Sequence, residues 1–313
     1  LKSTAMTASA RPGMLLIRHP LRRVVRYQVE YRSLQIGMAL VNALPESAIY
    51  GFGRAIGRVV WLDRQHWNIA VGNLRRAFGA ELSEHEIRRL ARESFINLFL
   101  YGVECARAMS IPSWPGDDKI ELIGANNFHE AAARGKGVII LTAHLGNWEV
   151  WGGFFSRRVH PIAAIARLQP NPHVNRMIMG YRQAAGIKVI PKKTPASIIR
   201  SFFAENYAVG FLADQHGGVS GAKVTFFGQT TPAPRGPVVF ALRTGAAIVP
   251  AFAVRMPGNS FRHQLHFEPA LKIERTGNLE RDIQVNTQKA ISIIEMYVRR
   301  YPEQWLWMHP RWR

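Results

Sequence analysis

From residue 120 to residue 214 the chain alternates short apolar runs with longer segments whose apolar positions recur every three to four residues. ELI, VIILT, IAAIA, KVI and YAVGFLAD are the runs and read as strands; the segments at 127–135, 148–157, 173–185 and 195–205 read as helices. That rhythm, with short connections, predicts an α/β fold in which a single mainly parallel or mixed sheet is flanked by helices. Downstream, VTFFG reads as a strand, PVVFALRTG as a helix started by proline, and AAIVPAFAV and FRHQLHFEP as two more strands. A last helix is predicted over 279–301, with Ile283, Ala290, Ile294, Tyr297 and Val298 on one face and Pro302 closing it.

Upstream of the sheet the pattern is helical. Residues 66–78 form one predicted helix, and Ser83 followed three positions later by Glu86 marks a capping box. Ile87, Leu90, Ala91, Phe95 and Leu98 then carry an amphipathic helix to about residue 109, where IPSWPGDD ends it. Residues 34–44 are largely apolar, but Pro45 and Glu46 interrupt them and Arg54 and Arg58 follow. A spanning helix needs about 20 apolar residues. This segment is therefore expected either to lie in a membrane interface as a helix or hairpin, or to pack on the core. The expected division is a basic and apolar, helical, membrane-associating region at 1–62 and an α/β domain at 63–313.

Composition is ordinary in hydrophobic content, at 47%, and unusual in charge: 41 Lys and Arg against 21 Asp and Glu give a net +20 and a pI near 11.0. Such a field favours polyanions, whether nucleic acid, an anionic bilayer or an acidic carrier protein. No zinc finger, aromatic RNA-binding signature or helix-turn-helix is apparent, and apolar and aromatic residues are interleaved with basic ones near both termini. A membrane surface is the expected partner, and nucleic acid is not. Residues 1–29 carry Lys2, Arg11, Arg18, Arg22, Arg23 and Arg26 and no acid, a flank suited to anionic lipid at about 1 kcal/mol per basic residue. The first dozen residues look partly like leader material and are set aside.

Cysteine chemistry and cofactors are narrowed the same way. The single Cys105 excludes an internal disulfide and reads as a small buried hydrophobe. HExxH is absent and FRHQLHF reads as a strand, so no metal is expected. Neither GxxxxGK[ST] nor a helix-opening GxGxxG is present, so no nucleotide cofactor is expected, and without GxSxG a serine nucleophile has no support.

The candidate chemistry lies in GVIILTAHLGNWEVW, residues 137–151. A strand stops at His144, a turn follows through Leu145, Gly146 and Asn147, and Glu149 sits in the first turn of the next helix. Strand ends of open α/β sheets face clefts. A carboxylate five residues on can fold back to one imidazole nitrogen and leave the other free as a general base. Chance supplies about 0.7 such His-x4-acid pairs in this composition, and the chain has two. The second, His263 and Glu268, lies along a strand, where residues five apart point to opposite faces.

HLGNWE after an apolar strand, then ARLQPNPHVNRMI, ADQHG, FFGQTTPAPRGPVVFALRTGAAIVP and a terminal PEQWLWMHPRW, resemble in that order the lipid A lauroyl/myristoyl acyltransferases of the lysophospholipid-acyltransferase-like superfamily, from about residue 40 to the end. The resemblance implies an O-acyltransferase that moves a fatty acyl chain from acyl carrier protein, or from coenzyme A, to a hydroxyl of an anionic glycolipid, a lipid A precursor. It would work at the cytoplasmic face of the inner membrane, held peripherally or by an N-terminal anchor. Enzymes that acylate phosphatidylinositol mannosides share the pattern, so the acceptor stays open; a non-catalytic basic module that binds membrane or nucleic acid is the alternative of another class.

The resemblance also implies site roles. His144 is the general base and Glu149 its partner. Arg167 matches a motif in which arginine binds anionic groups or steadies developing negative charge. Asp214 and Gln215 organise the basic residues or the acceptor, unless they cap a helix. Arg235 is a phosphate clamp before a helix; Arg243 binds or is simply solvated. Asn171, Asn175 and Arg176 are secondary candidates. Trp305, Trp307 and Trp312, with His309, Arg311 and Arg313, suit either a lipid headgroup layer or core packing.

Overall fold

The computed structural model describes residues 20–57, 59, 62–111, 116–258 and 261–312. The basic flank's Lys2, Arg11 and Arg18, the leader-like first dozen residues, Arg58 and Arg313 lie outside the described residues.

Four helices come first: α1 (Pro20–Ala43), α2 (Glu46–Gly57), α3 (Arg64–Phe78) and α4 (Glu84–Ser110). Pro45 separates α1 from α2, since its ring disfavours helical backbone at the residue before it and it has no N–H to donate. The capping box at the start of α4 forms as expected: Ser83 Oγ accepts from the Glu86 amide while the Glu86 carboxylate accepts from the Ser83 amide at 2.8 Å.

The alternating part follows as β1 (Ile120–Ile123), α5 (Ala125–Ala132), β2 (Val138–Thr142), α6 (Trp148–Arg158), β3 (Ile162–Ala166), α7 (Pro172–Ala184), β4 (Lys188–Pro191), α8 (Ala196–Ala204) and β5 (Ala208–Leu212). After β6 (Ala222–Phe226) and β7 (Gln229–Ala233) come α9 (Gly236–Thr244), β8 (Ala247–Arg255), β9 (His263–Phe267) and α10 (Leu279–Arg300).

Seven strands form one sheet in the order β1-β9-β8-β2-β5-β3-β4, parallel except where β8 meets β9. The expected α/β class and mixed sheet are therefore present. β2 lies near the middle and all five of its residues are buried, which is why it reads as a continuous apolar run rather than an alternating one.

One feature differs from the expectation and one open choice is decided. β6 and β7 make a separate antiparallel ribbon, not part of the sheet. β7 was not legible because its sequence, QTTPA, contains Pro232; in a two-stranded ribbon each strand has a free edge, where proline is tolerated. The side chain of Gln288 on α10 covers the β6 edge, accepting from the Thr225 amide (2.7 Å) and donating to its carbonyl (3.0 Å). The C-terminal tryptophans choose core packing over the headgroup layer: Trp305, Trp307 and Trp312 are all buried, against Phe78, Phe226 and Phe227.

All of the segment at 34–44 except Leu44 belongs to α1, which packs along α4 and α7, with Asn171 Nδ2 donating to the Tyr27 carbonyl (2.8 Å) and Asn42 Nδ2 to Ser110 Oγ (2.7 Å). Its outer stripe of Val25, Val29, Ile36 and Leu40 stays exposed. Among the described residues no helix is long and apolar enough to cross a membrane.

The burial contrast sets a test of the core. Ile139→Ala on β2 removes a side chain with no exposure and is expected to cost about 2–5 kcal/mol in denaturant unfolding; Ile36→Ser on the open face of α1 is expected to change stability by no more than about 0.5 kcal/mol.

Candidate active site

Parallel pairing of β2 with β5 sets Thr142 opposite Leu212. Two residues further along each strand, His144 therefore meets Asp214. The Asp214 carboxylate is 1% exposed and accepts three bonds: from the His144 backbone N–H (Oδ2, 3.1 Å), from His144 Nδ1 (Oδ1, 2.9 Å) and from Trp305 Nε1–H (Oδ2, 2.8 Å). A carboxylate only accepts, so Nδ1 carries the proton and Nε2 is the lone-pair nitrogen of the neutral ring. Burial alone would raise the Asp214 pKa; attraction to the imidazolium when His144 is protonated, the bonds from His144 and the Trp305 indole outweigh it and hold the acid below the usual carboxylate range.

The turn that delivers His144 has little freedom. Gly146 has φ 60°, and a Cβ there would run into the Ala253 carbonyl oxygen, so only glycine fits. Asn147 caps α6 through Oδ1, which accepts from the Val150 amide at 3.1 Å. Residues 304–306 strap the turn from outside: Gly146 donates to the Gln304 carbonyl (3.0 Å) and Leu306 donates to the His144 carbonyl (3.1 Å). Trp148 meets the imidazole edge-on with ring centres 4.9 Å apart and stacks on Tyr101. His144 lines a small cleft of about 10 Å³ together with Leu98, Tyr101, Trp148 and Leu306 among others, and Gln215 Nε2 lies 3.4 Å from its Nε2.

The expected His144–Glu149 hydrogen bond is not made. Glu149 is 7% exposed and receives both Nε and Nη2 of Arg182, each at 2.7 Å, from α7. Trp148 already occupies the helix face turned to His144, and the next residue lies about 100° further round. There a bidentate guanidinium takes both carboxylate oxygens. Burial lowers the Arg182 pKa, but the bonds and charge of Glu149 more than reverse this. Asp214, expected to organise basic residues or the acceptor, is the carboxylate bonded to His144 instead. The signal available for this was strand order: two neighbouring parallel strands each ending in a polar residue at the same level.

The other candidates are dispersed. Arg167 follows β3 on the same sheet edge but is exposed, two strands from His144 and so roughly 10 Å away at normal strand spacing. Arg235 precedes α9 and forks onto Glu280 (2.8 and 3.1 Å) beside a cavity of about 490 Å³ that His216, Val219, Lys223 and Ile283 help to line. Asn171 is structural, capping α7 and holding α1; Asn175 accepts from the Gln169 amide. Arg311 is fully buried, its guanidinium over Phe226 and donating to Thr231 and Pro232, and burial lowers its pKa to about 10. The second His-x4-acid pair stays apart as expected: His263 faces Glu104, and Glu268 accepts from Tyr297. Cys105 is buried, as its apolar setting suggested. Among the described residues no cluster of three His, Cys, Asp or Glu could hold a metal.

The sequence profile described as bacterial lipid A biosynthesis acyltransferase matches residues 17–313. The chain is 25% identical over 284 residues to a phosphatidylinositol mannoside acyltransferase of Mycolicibacterium smegmatis, covering 88% of this chain and 89% of that one. It is 26% identical over 278 residues to the lipid A biosynthesis palmitoleoyltransferase of Escherichia coli, covering 86% of each. Its identity to the lauroyltransferase of the same organism is 23% over 281 residues, or 88% of each chain.

Two outcomes are expected from this geometry. Gly146→Ala combines a positive φ with a backbone collision and is expected to lower stability by more than about 1 kcal/mol, read from denaturant midpoints. Asp214 has a depressed folded pKa, so its contribution is fully present above its unfolded value of about 3.9 and is lost as pH falls through the folded value. Stability of Asp214→Asn should therefore fall less steeply than wild type below about pH 4; parallel curves would contradict the assignment.

Proposed function

Since the chain belongs to the bacterial lipid A biosynthesis acyltransferase family, and is on that ground an acyl-transferring enzyme, we propose that it moves a fatty acyl chain from an acyl carrier protein or coenzyme A thioester to a hydroxyl of an anionic envelope glycolipid, a lipid A precursor. The observation that carries the chemistry is the His144–Asp214 dyad, whose histidine lines a cleft together with Leu98, Tyr101, Trp148 and Leu306.

His144 Nε2 takes the proton of the acceptor hydroxyl as its oxygen attacks the thioester carbonyl. The new C–O bond forms, the C–S bond of the tetrahedral intermediate breaks, and the imidazolium returns its proton to the departing thiolate. Asp214 stabilises the imidazolium between these events, the part played by the aspartate of a Ser-His-Asp triad. The Gln215 amide, 3.4 Å from Nε2, is a suitable donor to the oxyanion, with backbone N–H groups and Arg167 as further sources of positive potential. Glu149 serves the site through Arg182, fixing α7 against α6.

The acceptor's phosphate is assigned to the cavity beside Arg235, where an anionic headgroup would compete with Glu280 for the guanidinium fork. Val25, Val29, Ile36 and Leu40 on α1, flanked by exposed Arg23, Arg26 and Arg32, support peripheral attachment to the anionic cytoplasmic face of the inner membrane. A second acceptor, a phosphatidylinositol mannoside, is favoured by the similarity to the mycobacterial enzyme.

Acyl transfer to purified lipid acceptors, followed as thiol release and by mass spectrometry of the lipid, tests the proposal. His144→Ala and Asp214→Asn should fold and lose roughly 10² to 10⁴ in rate; wild-type turnover in His144→Ala would end the mechanism. If the +20 charge steers an acidic carrier, added salt should raise KM for the carrier-bound donor more than for the coenzyme A thioester.

A further inference from the structure

Behind the catalytic turn lies an ion pair that no step of the proposed reaction uses. Glu104, in the C-terminal part of α4, has no exposure, and Arg255, the last residue of β8, is 5% exposed. Arg255 Nε and Nη2 donate to the two carboxylate oxygens at 2.9 and 2.8 Å, and His263 Nε2 lies 3.1 Å from Oε1. Burial would raise the Glu104 pKa, but the charges of Arg255 and His263 and their hydrogen bonds hold it well below the carboxylate range.

Two arms run from this pair to the same few residues. Through the carboxylate, Glu104 Oε2 accepts from Asn147 Nδ2 at 2.6 Å while Asn147 Oδ1 caps the Val150 amide. The amide of Asn147 is thus fixed at both ends, and with it the entry to α6 that sets Trp148 against His144. Through the arginine, the backbone N–H of Arg255 donates to Gln304 Oε1 (2.8 Å) and its carbonyl accepts from Gln304 Nε2 (2.9 Å). The guanidinium also donates to Asn97 Oδ1, and Asn97 Nδ2 holds the Glu303 carbonyl at 2.9 Å. Gln304 begins the strap whose members bind Gly146, the His144 carbonyl and, through Trp305, Asp214.

We propose that Glu104 and Arg255 are positioning residues for acyl transfer: the pair fixes the turn from Asn147 on one side and from residues 304–306 on the other, so that His144 and Asp214 stay in register. This rests on the dyad reading given above. A buried ion pair of this kind contributes little net stability relative to apolar side chains of similar volume, so its effect on geometry can be separated from its effect on folding.

The test compares Glu104→Met/Arg255→Met and Asn147→Ser with His144→Ala, by melting temperature, kcat and KM in acyl transfer and the pH profile of kcat. The double replacement removes both charges together and should stay folded; serine at 147 keeps the helix cap but cannot reach Glu104 as the amide does. Both should keep KM within about twofold, lose roughly 10- to 100-fold in kcat, and shift the acidic limb of the pH profile, because the imidazole is no longer held on Asp214. If the double replacement fails to fold, Asn147→Ser decides alone: reduced kcat at an unchanged melting temperature supports the role. Wild-type kcat and pH profile in Asn147→Ser, or in a folded double variant, with His144→Ala inactive, overturn the positioning role and leave the dyad standing. Wild-type turnover in His144→Ala overturns the dyad itself.

Discussion

A carboxylate with almost no access to water needs donors, and Asp214 has three of them, from His144 twice and from Trp305 once. Leaving such a charge unpaired would cost several kcal/mol. The donors come from two distant places in the chain, the end of β2 and the segment after α10, so satisfying Asp214 brings the carboxyl-terminal strap onto the turn that follows β2. The same constraint sets the chemistry. With Nδ1 held by the carboxylate, the ring has one orientation and its lone pair on Nε2, in a residue that lines the cleft.

Two other buried carboxylates show what the surroundings do with negative charge. Glu149 is neutralised by Arg182 and joins α6 to α7; Glu104 is neutralised by Arg255 and His263 behind the turn. Neither is oriented toward His144 as Asp214 is. In a chain of net +20, arginines reach both, and the carboxylate at the end of β5 is the one left to the histidine. The family assignment fixes acyl transfer as the class of reaction, and this distribution of partners supports Asp214 rather than Glu149 as the group behind the base.

Much of the fold was legible because apolar periodicity records burial directly. β2, β3, β5 and β8 are apolar runs with turn residues between them, and Ser83 with Glu86 marks the start of α4. β7 escaped because Pro232 argues against a strand unless the strand is known to be one of only two. The candidate histidine was picked out by its place at the end of a buried strand. Its partner was not, since the reading favoured the carboxylate nearest in sequence, whereas contact depends on β5 pairing beside β2. Glu104 and Arg255 gave no signal, because 151 positions separate them: Glu104 alone looks like one more charge on an amphipathic helix, and Arg255 like the polar end of an apolar strand. For the tryptophans of the tail, sequence left membrane and core equally open; packing against Phe226 and Phe227 decides it.

The central claim concerns where one proton sits. Nitrogen-15 NMR of the histidine-labelled protein, with His144 assigned by substitution, reads the tautomer of the neutral ring. The account predicts protonated Nδ1 and unprotonated Nε2, with a strongly deshielded Nδ1 proton that disappears in Asp214→Asn. Protonated Nε2 in the wild type, or a ring signal indifferent to the loss of the Asp214 charge, would contradict it.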